Sequence, residues 1–282
     1  NSEDYNNIEY VMQQYVLTYR DNENKGTATG TDEWYEGCGL ENSQYLQLKQ
    51  RMLKSTYENE GFYIGRYEVG IKEENKVRNF GTDYNTVHPI NETPVIQQNK
   101  ILYNWVRISQ AEELSERLAV GGKTSSLMFG IQWDLVMKYI ESKREYTKDG
   151  TNTLIDQSLI KSDSTKWGNY GDAIFYITNT NTKYSEDLGI NYLQVPLSGY
   201  KKTNLNILLT TGATERNSVL GIYDLAGNAY EWTLEKTTVD DIPCSIRGGS
   251  YRIGGFDNPA SSRYYNRNNS SNEYVGFRSV LY

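Results

Sequence analysis

Three short stretches near the C-terminus decide how this chain reads: Gly221-Ile-Tyr-Asp-Leu-Ala-Gly-Asn-Ala-Tyr-Glu-Trp-Thr233, Arg247-Gly-Gly-Ser-Tyr251 and Gly276-Phe-Arg-Ser-Val-Leu-Tyr282. In the first, the carboxylates of Asp224 and Glu231 flank Gly227, which lets the chain bend so that nearby backbone carbonyls turn inward. Calcium takes six to eight oxygen ligands at roughly 2.3–2.6 Å, and a turning loop of carboxylates and carbonyls offers that chemistry. The same residues also suit a loop without an ion, in which Asp and Glu accept backbone N–H groups. Both readings stand at this point.

Between the second and third stretches the chain holds Tyr251, Arg252, Phe256, Asp257, Asn258, Arg263, Tyr264, Tyr265, Asn266, Arg267, Asn268, Asn269, Ser270, Ser271, Asn272, Glu273 and Tyr274, with Ile253 almost its only aliphatic residue. A core strand is not built this way. Tyr and Arg give large contact area with polar tips, while Asn and Ser adapt their hydrogen bonds, the mix favoured in binding surfaces. A solvated loop in a chain already rich in Asn and Tyr is the plainer alternative.

The chain as a whole sets bounds on both readings. Its 282 residues suffice for one large domain or two small ones. With 29 Lys and Arg against 36 Asp and Glu, the net charge is −7, which disfavours a partner held by its phosphates, so no nucleic acid is expected. Aromatics make up 13%, with 25 Tyr against 6 Phe, so the chain is folded and not disordered. One histidine, His88, cannot supply a multi-histidine zinc or iron site. Two cysteines, Cys38 and Cys244, are too few for a disulfide framework. No run of eighteen apolar residues appears, so no membrane span is expected. The start at Asn1, without Met or a leader, reads as a segment of a longer protein.

Upstream, Ile8, Val11, Met12, Tyr15, Val16 and Tyr19 recur at helical spacing and predict an amphipathic helix packed on the body of the domain. Residues Asp21 to Tyr45 read as a loop, and Gly61 to Val69 as a strand. A helix is expected from an N-cap at Ser109, with Leu114 and Leu118 inward, and a second from Gly130, with Trp133, Val136, Met137 and Ile140 on one face before a charged tail, Glu141 to Glu145. Short strands are expected at Ala173–Ile177 and Leu205–Leu209.

The three quoted stretches, in this order and spacing, resemble the formylglycine-generating enzyme, or sulfatase-modifying factor, family, whose C-terminal half carries G-[LI]-Y-D-x-[AV]-G-N-x-[WY]-E-W, then R-G-G-S-[WY], then G-F-R. Fainter similarity extends upstream through Phe62–Val69 and Gln132-Trp133. The resemblance implies an α+β, C-type lectin-like fold with small twisted sheets, two main helices and much irregular loop. The domain is expected over 61–282, preceded by a helix and loop extension over 1–60. The family's matching positions imply a structural calcium held by the side chains of Asp224 and Glu231 and the carbonyls of Gly227 and Ala229.

The family's oxidase holds copper with two cysteines downstream of R-G-G-S, and here that stretch has none; thiolates are required because soft ligands stabilise Cu(I). Its iron-dependent branch needs several histidines. Neither copper nor iron is therefore expected, and the chain reads as a non-catalytic member. The resemblance narrows further to the variable proteins diversified by retroelements, in which a C-terminal segment ending near G-F-R is randomised. A ligand surface is thus expected from Tyr251, Arg252, Ile253, Phe256, Asp257, Tyr264, Tyr265, Asn266, Arg267, Asn268, Asn269, Ser270, Asn272, Glu273 and Tyr274, facing an external protein or glycan at a cell surface, outside the cell or on a phage particle. The competing expectations are an enzyme of the same family with altered chemistry and a carbohydrate-binding lectin.

Overall fold

The computed structural model describes residues 2–20, 29–141, 143–146, 152–203, 205–239 and 241–282. Much of the C-terminal half is arranged around the strand Tyr230–Thr237, almost every residue of which is buried. It pairs antiparallel with Cys244–Arg247, which pairs antiparallel with Arg263–Asn266. Val275–Phe277 lies parallel to its first residues, and Gly30–Thr31 antiparallel to its last. A second small sheet joins Tyr63–Ile64, Ser279–Leu281 and Ser125–Leu127, so the G-F-R stretch passes from one sheet into the other. This is the α+β architecture of short curled sheets expected from the sequence.

A strand buried on both faces is normally an apolar run, yet this one reads Tyr-Glu-Trp-Thr-Leu-Glu-Lys-Thr. Its polar groups must therefore find partners inside. Trp232 Nε1 donates to Val106 O at 3.0 Å and Thr233 Oγ1 to Ser245 O at 3.1 Å. Glu231 and Glu235 take arginines.

The helices are α1 (Ser2–Tyr15), α2 (Leu17–Arg20), α3 (Asn42–Glu58), α4 (Ile108–Glu116), α5 (Gly130–Ile140) and α6 (Gln157–Lys161). Three of them begin alike. Gln44, Gln110 and Gln132 each accept, through Oε1, the backbone N–H three residues earlier, at 2.9, 3.1 and 3.0 Å, meeting one donor that a helix start leaves open. α5 also rests its first N–H groups on a buried carboxylate: Gly130 N and Ile131 N donate to Asp32 at 2.6 and 3.1 Å.

Several expectations shift. α1 forms, but its inward face is Met12 with Val16 and Tyr19 just beyond, while Val11 and Tyr15 point outward at 65% and 61% exposure. α3 falls on a stretch without an expected helix, although Tyr45, Met52 and Leu53, which it buries, keep helical spacing. Of the loop expected from Asp21, residues 21–28 lie outside those described, as do parts of the expected tail around 142. The helix expected from Ser109 opens at Ile108, and α5 opens at Gly130 as read. The strand expected over Gly61–Val69 survives only as Tyr63–Ile64, because Arg66 O accepts Tyr223 N at 2.8 Å and Glu68 is carried into the interior. The expected strands near 173–177 and 205–209 form at Phe175–Ile177 and Leu208–Leu209.

Where α2, α5 and the central sheet meet, three guanidiniums interlock with three carboxylates. Arg20 pairs with Asp32 and Asp134, both at 2.9 Å. Arg247 pairs with Asp134 and Glu235, both at 2.7 Å, and Arg263 with the same two acids at 2.5 and 2.7 Å. Burial alone would raise the Glu235 carboxyl, but Arg263, Arg247 and Arg20 hold it down to about 2.

Glu112 on α4 is buried, and no cation pairs with it among the described residues. Its Oε2 accepts Leu127 N at 2.8 Å, Oε1 has no hydrogen-bond partner among the described residues, and burial pushes the group up to about 8. A carboxyl raised above its unfolded value favours the fold while protonated, so its contribution is full below pH 4.5 and is lost as the pH rises through about 8. Glu112→Gln is expected to raise the melting temperature at pH 9 by several degrees and to leave it nearly unchanged at pH 4.5; equal effects at both values would contradict the assignment.

Candidate functional site

Two regions answer to the residues singled out by sequence, and both adjoin the first residues of the strand Tyr230–Thr237, Tyr230 in one and Glu231 in the other. In the acidic motif, Asp224 and Asn228 adopt left-handed backbone angles, φ 60° and 59°, as does Gly227 at 71°. Asp and Asn tolerate that conformation better than other side chains, and it folds the loop tightly before the strand. Asp224 Oδ2 accepts Gly212 N at 2.7 Å. Glu231 is forked by Arg278, whose Nη2 donates to Oε1 at 2.7 Å and Nε to Oε2 at 3.0 Å.

A third acid, missed in the sequence, joins them. Glu68, fully buried, accepts Asn228 Nδ2 at 2.6 Å and Ala229 N at 3.2 Å. Burial, then Asp224 and Glu231, push its carboxyl well above the usual range, and burial pushes Asp224 up to about 6. Three buried carboxylates thus face one guanidinium, Arg278. Their oxygens are the hard donor type that a cation such as calcium takes, and an ion there would share Glu231 with Arg278. Among the described residues no three acids, histidines or cysteines converge at metal-ligating distance, and the Asp224 and Glu231 side chains, which with the carbonyls of Gly227 and Ala229 would hold the ion, are already engaged by Gly212 N and Arg278.

The candidate ligand surface is anchored chiefly through its main chain. Tyr251 N donates to Asn228 O at 3.0 Å, and Gly171 N to Ile253 O at 2.9 Å. Tyr264 and Tyr265 stand on the edge strand Arg263–Asn266, opposite Ile246 and Ser245. Further on, Ser271 N donates to Tyr84 O at 2.9 Å, Trp105 N to Asn272 O at 3.0 Å and Tyr230 N to Tyr274 O at 2.9 Å, while Asn104 Nδ2 reaches Glu273 O at 2.9 Å.

The side chains sort by depth. Arg252, Phe256, Asp257, Arg267 and Asn269 are exposed; Ile253, Tyr264, Tyr265, Asn266, Asn268, Ser270 and Tyr274 are half-buried. Tyr251, Asn272 and Glu273 are buried, so Tyr251 lies beneath the surface, in a cluster with Leu102, Leu208 and Ala229. Arg263, which borders the segment, belongs to the interior charge network. The tyrosines form a continuous aromatic run: Tyr264 stacks on Tyr265 with centroids 4.7 Å apart and on Tyr230 at 5.8 Å, and Tyr230 meets the edge of Tyr274 at 6.3 Å. Arg252 lies over Tyr274, 5.2 Å from its centroid.

Tyr230 is thus part of the patch as well as a position of the first motif. Tyr84 and Trp105, stacked at 5.5 Å, extend the support from a polar loop and a chain segment far away in sequence, with Trp105 in a left-handed conformation at φ 54°. No local signal marks either of them.

His88 is buried, stacked 3.7 Å from Phe80, and hydrogen-bonded through Nε2 to Asp83 O at 2.8 Å. Cys38 and Cys244 are free and buried, Cys244 directly opposite Asn266 on the neighbouring strand; burial raises both thiols, Cys244 to about 12.

A family model described as the sulfatase-modifying factor enzyme 1-like domain matches residues 37–282. Among solved structures, the Treponema denticola variable protein 1 is similar at 19% identity over 58% of this chain and 49% of that one, with a TM-score of 0.28, so this chain spans about half of that protein's length. No curated protein matches.

Because Arg263 ties the edge strand to two buried acids, Arg263→Met leaves Asp134 and Glu235 short of one cation. Losing one partner of a buried pair costs about 3–5 kcal/mol, so the urea midpoint should fall accordingly without a change in slope. A loss within about 0.5 kcal/mol, the range of an ordinary surface substitution, would show that the network does not hold the strand.

Proposed function

The chain belongs to the sulfatase-modifying factor enzyme 1-like family, and from that membership we propose that it is a non-catalytic member whose segment 252–274 binds an external protein partner. The observation that carries this reading is the way the segment is fixed. Its backbone is held by main-chain groups of Gly171, Tyr84, Trp105 and Tyr230, bonds that do not depend on which side chains it displays. Exposed positions can therefore change without loss of the frame, while the aromatic run of Tyr230, Tyr264, Tyr265 and Tyr274 offers the rigid area that anchors interfaces. This suits diversification by a retroelement and display at a cell surface or on a phage particle.

The non-catalytic reading is supported by chemistry as well as motif. Copper oxidation needs thiolates, and both thiols here are buried with raised pKa, and neither falls in the sequence that follows R-G-G-S. A structural calcium at Asp224, Gly227, Ala229 and Glu231 completes the proposal, supported by the gathering of the buried Glu68, Asp224 and Glu231 carboxyl groups there.

Comparing the gene between isolates should find substitutions concentrated at exposed positions of 252–274; uniform drift along the chain would overturn diversification. For binding, the full chain is screened against protein and glycan arrays, and Tyr264→Ala/Tyr265→Ala is expected to weaken a protein hit at least about tenfold. A hit unaffected by that variant, or hits to glycans alone, would overturn the proposed surface. Removing divalent ions with EDTA should lower the melting temperature and added calcium restore it, and an unchanged midpoint would remove the ion.

A further inference from the structure

Segment 252–274 has two acids, and they differ in depth: Asp257 is exposed, whereas Glu273 is 2% exposed. A carboxylate sunk just beneath a surface is costly unless its oxygens are matched. Only one is. Glu273 Oε1 accepts Arg252 Nη1, but Oε2 has no hydrogen-bond partner among the described residues, and neither has the buried hydroxyl of Tyr251 close by. Arg252 reaches this place from the solvent side, its side chain 39% exposed and its guanidinium over the Tyr274 ring.

A buried carboxylate with an open oxygen, beside an aromatic face, is a seat for a planar cation. Guanidinium fits it better than ammonium, because its fork can meet both oxygens of one carboxylate while its plane lies on the ring. Arg252 fills the seat with one hydrogen bond; its backbone, tied down by Tyr251 N to Asn228 O next to it, limits how its fork can turn. An arginine arriving from outside has no such tether. Releasing Arg252 to water is cheap, since it is already more than a third exposed. The net charge of −7 favours the approach of a basic partner.

We propose that the Glu273–Tyr274 seat accepts an arginine side chain of the protein partner in exchange for Arg252. The inference rests on the binding surface proposed above and names the partner chemistry at its centre. Arg252 is then a built-in occupant that keeps Glu273 matched while no partner is bound.

N-acetyl-argininamide titrated into the full chain, followed by NMR shifts of the tyrosine rings, tests the seat. Arg252→Ala should bind this probe about tenfold more tightly than the native chain, because the competing guanidinium is gone. Arg252→Ala/Glu273→Gln should lose the gain, and the neutral citrulline counterpart should not bind either protein. Should the double variant fail to fold, Arg252→Ala/Tyr274→Leu keeps the acid and removes the ring, and is expected to fall severalfold below Arg252→Ala. Equal affinity in native chain and Arg252→Ala, or a gain that persists without Glu273 or without the Tyr274 ring, would overturn the seat. That result would leave the wider surface standing, since Tyr264→Ala/Tyr265→Ala tests it with a different readout.

Discussion

The five buried charges of Arg247, Arg263, Asp32, Asp134 and Glu235, with the half-buried Arg20, are the constraint on which the rest of the molecule depends. Arg247 and Arg263 sit directly opposite each other on neighbouring strands, an arrangement that like charges would forbid by themselves. It holds because Asp134, from α5, and Glu235, from the central strand, each bridge both arginines. Removing any one member would strand its partners in a dry interior. The network therefore fixes α2, α5, the Gly30–Thr31 strand and the sheet in one mutual arrangement, a role in specificity more than in net stability.

A contrast within the same strand explains the second region. Glu235 is matched charge for charge, while Glu231, four residues earlier, shares one arginine with Asp224 and Glu68. One end of the strand is neutral overall and the other is short of positive charge. The unmatched end is also where non-glycine residues hold left-handed backbone angles, Asp224 and Asn228. Uncompensated charge and local strain on the same few residues are typical of positions kept for a task other than stability.

The sequence disclosed the family because the residues of its C-terminal motifs are fixed by contacts that leave few substitutes, whereas the C-terminal strands themselves carried no separate signal. Gly227 would clash with Asn169 if it carried a side chain, and Arg247 and Arg278 each answer a specific buried acid. It disclosed the exposed tyrosines as an oddity of composition. It hid what depends on distance along the chain. Glu68 looks like any strand glutamate until the fold carries it beside Asp224, and Arg20 gives no sign of pairing with residues more than a hundred positions away. α3 was hidden for a milder reason: its buried Tyr45, Met52 and Leu53 are thinly spread among polar residues, so the helical period is faint. Tyr251 misled in the other direction, being of the right residue type but one step too deep.

Cys38 and Cys244, the chain's two thiols, are both buried and unbonded. Under native conditions a maleimide or iodoacetamide reagent would meet neither readily. A single cysteine introduced at exposed Asn269 would then be the preferred site of labelling, so a fluorophore or spin label could be carried on the rim of the aromatic patch without first removing the native cysteines.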